Sequence, residues 1–383
     1  MLLGASLGLL IGARLLGRTE LTVLGLASIA LVVGALIWVL TRHPSLGARR
    51  VLAPPRPSVG MQARVEIVVA NQDTKDTPVL NVTDLFDNGR RAARFLLAPL
   101  PPDERATGAY RLPTVKRGRY RLGPLTVSIP DPFGLAIGSH TVLGAEDVLI
   151  IPRVVPLLPI AALARAERGG APTRGRAGIN ADEFMMLREY VMGDELRRVH
   201  WRSSARTGSL KVRQDEAQHH PGASVLLDTY AGAHSTDTFE AAVEAAASLC
   251  ALVQQAGSEV ELLTSGGERA RGLHAALDLL AVVKPSREDV LLDTARSVTQ
   301  RRASRPLLAV IGETPDVDVA TLASLGARTG FVGIVSTRPL RDPGVTHTSL
   351  IIDASGGDLV AAWNEGVNTW TATASSPGSR SRR

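Results

Sequence analysis

The first forty residues are almost continuously apolar, and the rest of the chain alternates between strand-like and helix-like patterns. Residues 21–40 carry no charge over about the length that a helix needs to cross a bilayer. Trp38 lies near the end of this run, where interfacial aromatic side chains collect. The pattern therefore predicts a transmembrane helix.

Residues 1–16 are also apolar, but they are fewer and include Arg14. Two interpretations remain open: a first span that forms a hairpin with the second, with Arg14 reaching outward, or the apolar core of a signal peptide. A basic start and a small-residue cleavage site are both missing, which favours the hairpin. We therefore predict a transmembrane hairpin over residues 1–42.

The next pattern is a series of short alternating runs over residues 63–152. Residues 64–69 and 80–85 alternate between apolar and polar positions, and Asp87-Asn88-Gly89 is a strong turn signal. Strands of about six residues with turns between them predict an all-β, sandwich-like domain. The proline-rich residues 43–62 are predicted to be a linker.

From residue 222 onward, apolar runs of strand length alternate with helical patterns. This alternation predicts a doubly wound α/β domain with a parallel sheet over residues 222–370. Strands are expected at 222–229, 258–264, 306–312, 330–336 and 349–353, with helices at 236–255, 272–283, 287–302, 315–326 and 356–370. Residues 153–181 are predicted to form a flexible loop, and residues 371–383 a disordered tail.

Charge and cysteine content indicate the cellular environment and the binding partners that the chain is expected to have. The formal net charge is +6, and an anchored basic protein is expected to face an anionic membrane leaflet rather than nucleic acid. Arginines at 42, 49, 50 and 56 follow the predicted span, so the positive-inside rule places the C-terminal part in the cytoplasm. Cys250 is the only cysteine and stands in an alanine-rich run, which predicts a small core residue.

Residues 182–221 form the motif segment, which holds far more charge than the apolar runs around it. Opposite charges at this density pair with each other or with the backbone, because a lone buried charge is costly. An arginine fork holds a carboxylate by two hydrogen bonds and stacks on aromatic rings. We therefore predict an ion-pair network of Arg188, Asp194, Arg197 and Arg206, with Tyr190 and Trp201 packed on guanidinium planes.

The same segment contains signals for local structure. Phe184, Leu187 and Val191 recur at helical spacing and predict a short helical turn. Gly193 and Asp194 form a break followed by a good N-cap, which predicts a short helix over residues 195–206. The alternation in residues 209–213 then predicts a strand.

The motif segment resembles a bacterial family known as domain of unknown function 58. The family's Arg-x-Tyr-x-x-Gly-Asp run is matched by residues 188–194, and its later Arg, Trp and Ala-Arg are matched by Arg197, Trp201 and Ala205-Arg206. The resemblance implies a membrane-anchored protein with a von Willebrand factor A-like C-terminal domain. It also implies a MoxR-type AAA+ ATPase as partner, because such ATPases are often encoded beside family members.

A von Willebrand factor A-like domain holds a divalent cation through an Asp-x-Ser-x-Ser run after its first strand. Here the run reads Asp228-Thr229-Tyr230-Ala231-Gly232, so both serines are missing. Ser235, Thr236 and Asp237 follow at the wrong spacing. A cation at Asp228 remains an alternative to the expectation that Asp228 caps a loop or pairs with an arginine of the motif segment.

Catalytic patterns are weak in this sequence. His219 and His220 are adjacent and would point to opposite faces of a strand, and His200 has no marked nucleophile beside it. The Gly266-Gly267 and Gly356-Gly357 pairs lack the residues of a phosphate-binding loop. The prediction is a multi-pass membrane protein without enzymatic activity or cofactor, a scaffold for protein–protein interaction at the cytoplasmic face. The alternative is a cation-dependent enzyme or adhesion module with its site near Asp228.

Overall fold

The computed structural model describes residues 2–41, 44–160, 162–163, 187–191, 199, 201–213, 222–301, 305–340 and 348–375. The chain divides into two compact units, Met1–Arg153 and Val154–Arg383, called here the N-terminal and C-terminal units.

Two apolar helices begin the N-terminal unit, α1 (Leu2–Leu16) and α2 (Thr19–Thr41). Among the described helices, α2 alone has the length and composition to cross a membrane. Large apolar side chains such as Leu24 and Ile37 are more than half exposed along it. The two helices pack closely, since a Cβ added to Gly25 would lie 2.8 Å from Leu10.

Nine strands follow in the N-terminal unit and form antiparallel sheets with the orders β1-β2-β5, β4-β3-β7-β8 and β6-β9. Their inward side chains alternate with outward ones along the central strands, and they share one core. The strands are β1 (Leu46–Ala53), β2 (Ala63–Asn71), β3 (Leu80–Phe86), β4 (Arg91–Leu97), β5 (Arg105–Leu112), β6 (Gly118–Leu122), β7 (Leu125–Pro130), β8 (Ile137–Leu143) and β9 (Glu146–Ile150).

The predicted linker over residues 43–62 is wrong in its first half. Residues 46–53 form β1, which pairs with β2 from Leu46 opposite Asn71 to Ala53 opposite Arg64. Arg49 and Arg50 interrupt the apolar pattern of this strand, and β1 therefore cannot be recognised from the sequence pattern. The outer strand is held by backbone pairing and by the contacts of Arg50.

Arg50 reaches a buried carboxylate at the centre of the N-terminal unit. Its Nε and Nη2 donate to Asp84 at 3.1 Å and 2.5 Å, and both side chains are almost fully buried. The Tyr110 hydroxyl donates to the same carboxylate at 2.7 Å. Burial, and then the hydrogen bond to Asp84, raise the pKa of Tyr110. This group links β1, β3 and β5 and therefore joins two sheets.

The C-terminal unit is built on a six-stranded mixed sheet with the order β14-β13-β12-β15-β16-β17. The strands are β12 (Gly222–Leu227), β13 (Glu259–Thr264), β14 (Arg269–Arg271), β15 (Leu307–Ile311), β16 (Val332–Ser336) and β17 (Ser349–Asp353). All neighbours are parallel except β14, which is antiparallel to β13. Since β13 and β15 flank β12 on opposite sides, the chain reverses its winding direction at the carboxyl end of β12.

Helices cover this sheet on both faces. The helices are α4 (Thr236–Gln255), α5 (Leu273–Val282), α6 (Leu291–Arg301), α7 (Asp316–Ser324), α8 (Gly326–Thr329) and α9 (Leu359–Ser375). Every residue of β12 is buried, with Leu226 in a cluster that includes Leu291 and Leu322. The helix α4 contacts β12 with side chains outside that cluster, including the buried Cys250. The predicted α/β class of this unit is confirmed.

Three details of the C-terminal unit differ from the sequence-based predictions. The sheet is mixed rather than wholly parallel, because the short β14 folds back on β13. The last helix runs to Ser375, five residues into the predicted tail. The first residues of the predicted loop are packed, since Val155 donates its amide to Ser248 and Leu158 accepts from the Trp363 indole.

We expect Asp84→Ala to destabilise the N-terminal unit by about 3–5 kcal/mol, because the buried Arg50 guanidinium then keeps, of its two carboxylate partners, only the exposed Glu146 at 3.1 Å. The matched control is Asp147→Ala, which removes an exposed pair with Arg119 at 3.9 Å and is expected to change stability by less than about 1 kcal/mol. Hydrogen exchange of β3 in the full chain as a function of denaturant measures both. Equal loss in the two variants would contradict a central role for Asp84.

Candidate functional site

The candidate site lies at the carboxyl end of β12, where ligands bind in open α/β sheets. Asp228 follows β12 directly, and its amide continues the ladder by donating to Val310 at 2.8 Å. The carboxylate accepts from the amide of Tyr230 at 3.0 Å and from the Ser265 hydroxyl at 3.3 Å. Asp228 is thus buried and committed to the loops after β12 and β13, which confirms the predicted loop-capping role.

The neighbouring Thr229 also bonds to a third loop, the one that contains Ser286. Its amide donates to the Ser265 hydroxyl at 2.8 Å, and the two hydroxyls lie 3.0 Å apart. Its own hydroxyl accepts from Gly266 at 3.0 Å, and its carbonyl accepts from Ser286 at 2.6 Å. These bonds occupy the Thr229 and Ser265 hydroxyls inside the protein.

The Tyr230 ring covers the loop after Asp228. A Cβ added to Gly232 would lie 2.6 Å from that ring, so no larger residue fits at position 232 without moving it. Tyr230 and Gly232 stand where an Asp-x-Ser-x-Ser run has its serines. The space that a loop hydroxyl would occupy is filled by an aromatic ring.

His234 is the second buried titratable group here. Its Nε2 lies 3.1 Å from the carbonyl oxygen of Asp228 and 3.8 Å from the carboxylate. Its Nδ1 is buried without a hydrogen-bond partner among the described residues. Burial lowers the pKa of His234, and burial raises the pKa of Asp228. A neutral ring that donates from Nε2 to the Asp228 carbonyl satisfies this geometry.

A cleft of about 270 Å³ opens beside Asp228 at the same edge of the sheet. Five carboxyl groups and one guanidinium stand among its lining residues. They are Asp228, Asp289, Asp293, Glu313, Asp318 and Arg296. The only guanidinium in this set is shared with Asp293 at 3.6 Å, and Glu313 also pairs with Arg338 at 3.0 Å. The rim is therefore net acidic.

The described residues do not fit a divalent cation at Asp228. No group of three or more His, Cys, Asp or Glu side chains in the described part of the chain is arranged to hold a metal ion. Asp228 accepts two hydrogen bonds on Oδ1, and the nearby Thr229 and Ser265 hydroxyls bond each other, so these bonds leave only Asp228 Oδ2 open among the three side chains. Such a cation takes six or more oxygen ligands or a nearly ideal octahedron of them. We therefore derive no chemistry through a metal.

The motif segment is described in part. Leu187–Glu189 form β10, which pairs antiparallel with β11 (Lys211–Arg213), and Trp201–Thr207 form α3. The Ser204 hydroxyl ties the helix to the strand by accepting from the Lys211 amide at 2.8 Å. Lys211 also donates to Glu189 at 2.9 Å, across the two strands.

Comparison with protein families identifies this part of the chain. Residues 186–341 match the model described as protein of unknown function DUF58. This part of the chain belongs to the DUF58 family. The match starts in the motif segment and runs through β16, so it includes the buried Asp228 and the cleft beside it. The family description assigns no activity.

Other comparisons add little to the DUF58 assignment. No curated protein matches this chain. The CARDB domain of the PF1109 protein from Pyrococcus furiosus, solved with di-metal ions, is 18% identical, with a TM-score of 0.22 over 28% of this chain and 89% of that one. A Listeria innocua beta-glucosidase is 15% identical, with a TM-score of 0.17 over 28% of this chain and 16% of that one. TM-scores this low do not indicate a shared overall fold.

Within the DUF58 region, the structure locates some of the predicted site residues. Tyr190 is half-buried and its amide donates to Leu210 at 2.8 Å, whereas Trp201 is 64% exposed and Arg206 is exposed. Gly193, Asp194 and Arg197 lie outside the described residues, as does the side chain of Arg188. The ion-pair network therefore stays a prediction.

One local prediction in the motif segment is wrong. The spacing of Phe184, Leu187 and Val191 predicts a helical turn, but Leu187–Glu189 are extended in β10. Pairing with β11 satisfies the backbone hydrogen-bonding groups of these residues. The helical spacing of three apolar side chains is a weaker preference than this pairing. The predicted strand is present over Lys211–Arg213, and the described part of the predicted helix is α3.

Sequence analysis missed His234, Ser265 and the acidic rim of the cleft. His234 stands six residues after Asp228, and this spacing alone does not predict a contact. The two residues meet only because the loop folds back. Ser265 follows another strand, and its approach depends on the parallel pairing of β12 with β13. A usable signal was present in the polar residues that directly follow both strands, because carboxyl ends of parallel strands share an edge.

The buried His234 predicts how stability changes with pH. Because burial lowers its pKa below the ordinary 6.5, the unfolded state binds the proton more readily, and stability falls as the pH drops below about 6.5. The slope is at most about 1.4 kcal/mol per pH unit for one proton. Asp228 acts in the opposite direction, since its raised pKa favours the folded state at low pH.

When the pH is lowered from 7.5 to 5.5, we expect the free energy of unfolding to fall less in the His234→Gln variant than in the wild-type protein. Glutamine retains a donor for the Asp228 carbonyl without a titrating ring. Hydrogen exchange of β12 in the full chain measures the difference, and His274→Gln on α5 is the control. The same slope in all three proteins would show that His234 is not the group responsible.

Proposed function

We propose that this protein is a membrane-anchored, non-enzymatic scaffold whose C-terminal unit binds a partner protein at the cleft beside Asp228. The observation that carries the proposal is the commitment of Asp228, Thr229 and Ser265 to one another and to loop amides. A catalytic or cation-binding site needs several free lone pairs that point at the ligand, and these bonds leave only Asp228 Oδ2 among the three side chains. In this arrangement the polar groups instead fix three loops as a rigid edge.

The anchor in this proposal is α2, with α1 packed against it as the second arm of a transmembrane hairpin. The exposed leucines along α2 would be unfavourable in water and are favourable in lipid. The cytoplasmic location of both units is proposed from the arginines that follow the span, by the positive-inside rule.

The C-terminal unit is proposed to be von Willebrand factor A-like, without a competent cation site. Its support is the central position of β12, the change of winding direction beside it, and an aspartate at its carboxyl end. The position of Tyr230 over Gly232 supports recognition by shape and charge rather than by a bound ion.

The rim of the cleft defines the chemistry of the partner. Asp289, Asp293 and Glu313 are exposed and belong to its lining. Carboxylates that line a groove complement a basic segment and steer its approach. The DUF58 resemblance makes a MoxR-type AAA+ ATPase the first candidate for the protein that carries such a segment.

We expect the double variant Asp289→Lys/Asp293→Lys to weaken binding of that ATPase by at least about tenfold, because like charges then face the basic segment. Full-length protein in nanodiscs and the ATPase from the same organism are suitable for a binding titration at two salt concentrations. Wild-type binding should weaken as salt rises, and the variant should lose most of that dependence.

The matched control is Glu365→Lys, an exposed charge reversal on α9 outside the cleft lining. It should bind like the wild-type protein. Equal affinities for the double variant and the control would remove the cleft from the proposal. Turnover of a small molecule by the purified protein would contradict the non-enzymatic part.

A further inference from the structure

The end of α2 is fixed to the β-sheets of the N-terminal unit. Trp38 packs against the shared core of these sheets. A Cβ added to Gly138, the second residue of β8, would lie 2.7 Å from Val39 Cγ1. The start of β8 is therefore in contact with the last turn of the helix, and if α2 spans a bilayer, this end of the sheet lies at the bilayer surface.

The turn between β7 and β8 presents an aromatic side chain at that place. The buried carboxylate of Asp131 accepts from the amides of Phe133 at 2.8 Å and Ala136 at 2.6 Å. Two backbone bonds close the same turn, from Asp131 to Ala136 and from Gly134 to Asp131. The backbone is fixed from within, yet the Phe133 side chain remains 68% exposed.

Other exposed apolar side chains lie at the same end of the four-stranded sheet. Ile137 opens β8 and is 65% exposed, and Leu96 near the end of β4 is 71% exposed. The register brings them to one end, because Pro130 pairs with Ile137, Ser128 with Asn81, and Leu80 with Leu97. The Asp87–Arg90 turn lies at the opposite end of the same sheet.

We propose that Phe133, Ile137 and Leu96 enter the headgroup–acyl boundary of the membrane that α2 spans, and form a second, interfacial contact. This inference rests on the proposed anchor. The occupant is lipid rather than a protein groove, because Ile137 and the turn that carries Phe133 adjoin Gly138, which lies against the end of the proposed spanning helix. Aromatic and aliphatic side chains gain free energy at that depth, and a preformed turn loses little conformational entropy on insertion.

A second contact would fix the tilt of α2 and the β-sheets together relative to the bilayer, whereas a single spanning helix leaves that tilt variable. The same end carries Asp73, Asp76, Asp103 and Glu104 against Lys75 and Arg105 and is net acidic, so attraction to anionic headgroups does not drive the contact. Insertion should therefore proceed equally in zwitterionic bilayers and persist at high salt.

The test is the depth of single fluorophores in the full chain, reconstituted into phosphatidylcholine nanodiscs. An environment-sensitive probe is attached at Phe133→Cys, and the buried Cys250 is checked for labelling in the wild-type protein. Matched probes are placed at Arg90→Cys at the far end of the sheet and at Leu31→Cys within α2. Spin labels near the headgroup end of the acyl chains serve as quenchers.

We expect emission at position 133 to shift to the blue and to fall by roughly half with quencher, for a burial depth of about 5–10 Å. Position 90 should be unaffected, and position 31 should be quenched by labels deeper in the acyl chains. Adding phosphatidylglycerol or salt should change none of these results.

The controls separate this inference from the anchor itself. Quenching at 31 without quenching at 133 overturns the interfacial contact and leaves the anchor intact. An unquenched probe at 31 removes the anchor, and the contact with it. A blue shift at 133 that occurs only after a purified partner protein is added would assign the patch to protein and overturn the lipid assignment.

Discussion

The buried carboxylate of Asp228 is the constraint on which the C-terminal unit depends. A carboxylate removed from water is tolerated only when other groups hydrogen-bond to it, and here Tyr230 and Ser265 do so. These bonds draw together the loops that follow β12 and β13. The cleft then has a fixed wall, which is what a recognition surface requires, since loops that must be ordered on binding reduce affinity.

The N-terminal unit uses a second buried carboxylate in a similar way. Asp84 holds Arg50 and Tyr110, and so connects β1 to the sheet on the other side of the core. Because four residues separate β1 from the end of α2, Arg50 holds a strand that is close in the chain to the proposed anchor. In both units a buried acid joins segments that are distant in the sequence.

The sequence predicts the order of elements well and side-chain neighbourhoods poorly. The spacing of apolar residues identifies α2 and the alternation that begins at β12. An element that is buried on one or both faces has a regular pattern of apolar positions in its own sequence. β1 escapes detection since Arg50 is a charged residue that pairs across thirty-four positions with Asp84. The dense charge of the motif segment predicts ion pairs there. The buried ion pairs among the described residues are elsewhere, between Arg50 and Asp84 and between Arg305 and Glu261. Contacts between distant loops leave no periodic trace.

The most direct test of the account compares Asp228→Asn with Asp228→Ala in the full chain. Asparagine keeps an acceptor for Tyr230 and removes the buried charge, whereas alanine leaves two donors unpaired at a loss of about 1–3 kcal/mol. Exchange protection of the Tyr230 amide, followed with and without Mg²⁺, should be nearly normal in the asparagine variant, lost in the alanine variant, and unaffected by the cation in every protein. Protection that depends on Mg²⁺ in the wild-type protein and is lost equally in both variants would contradict it.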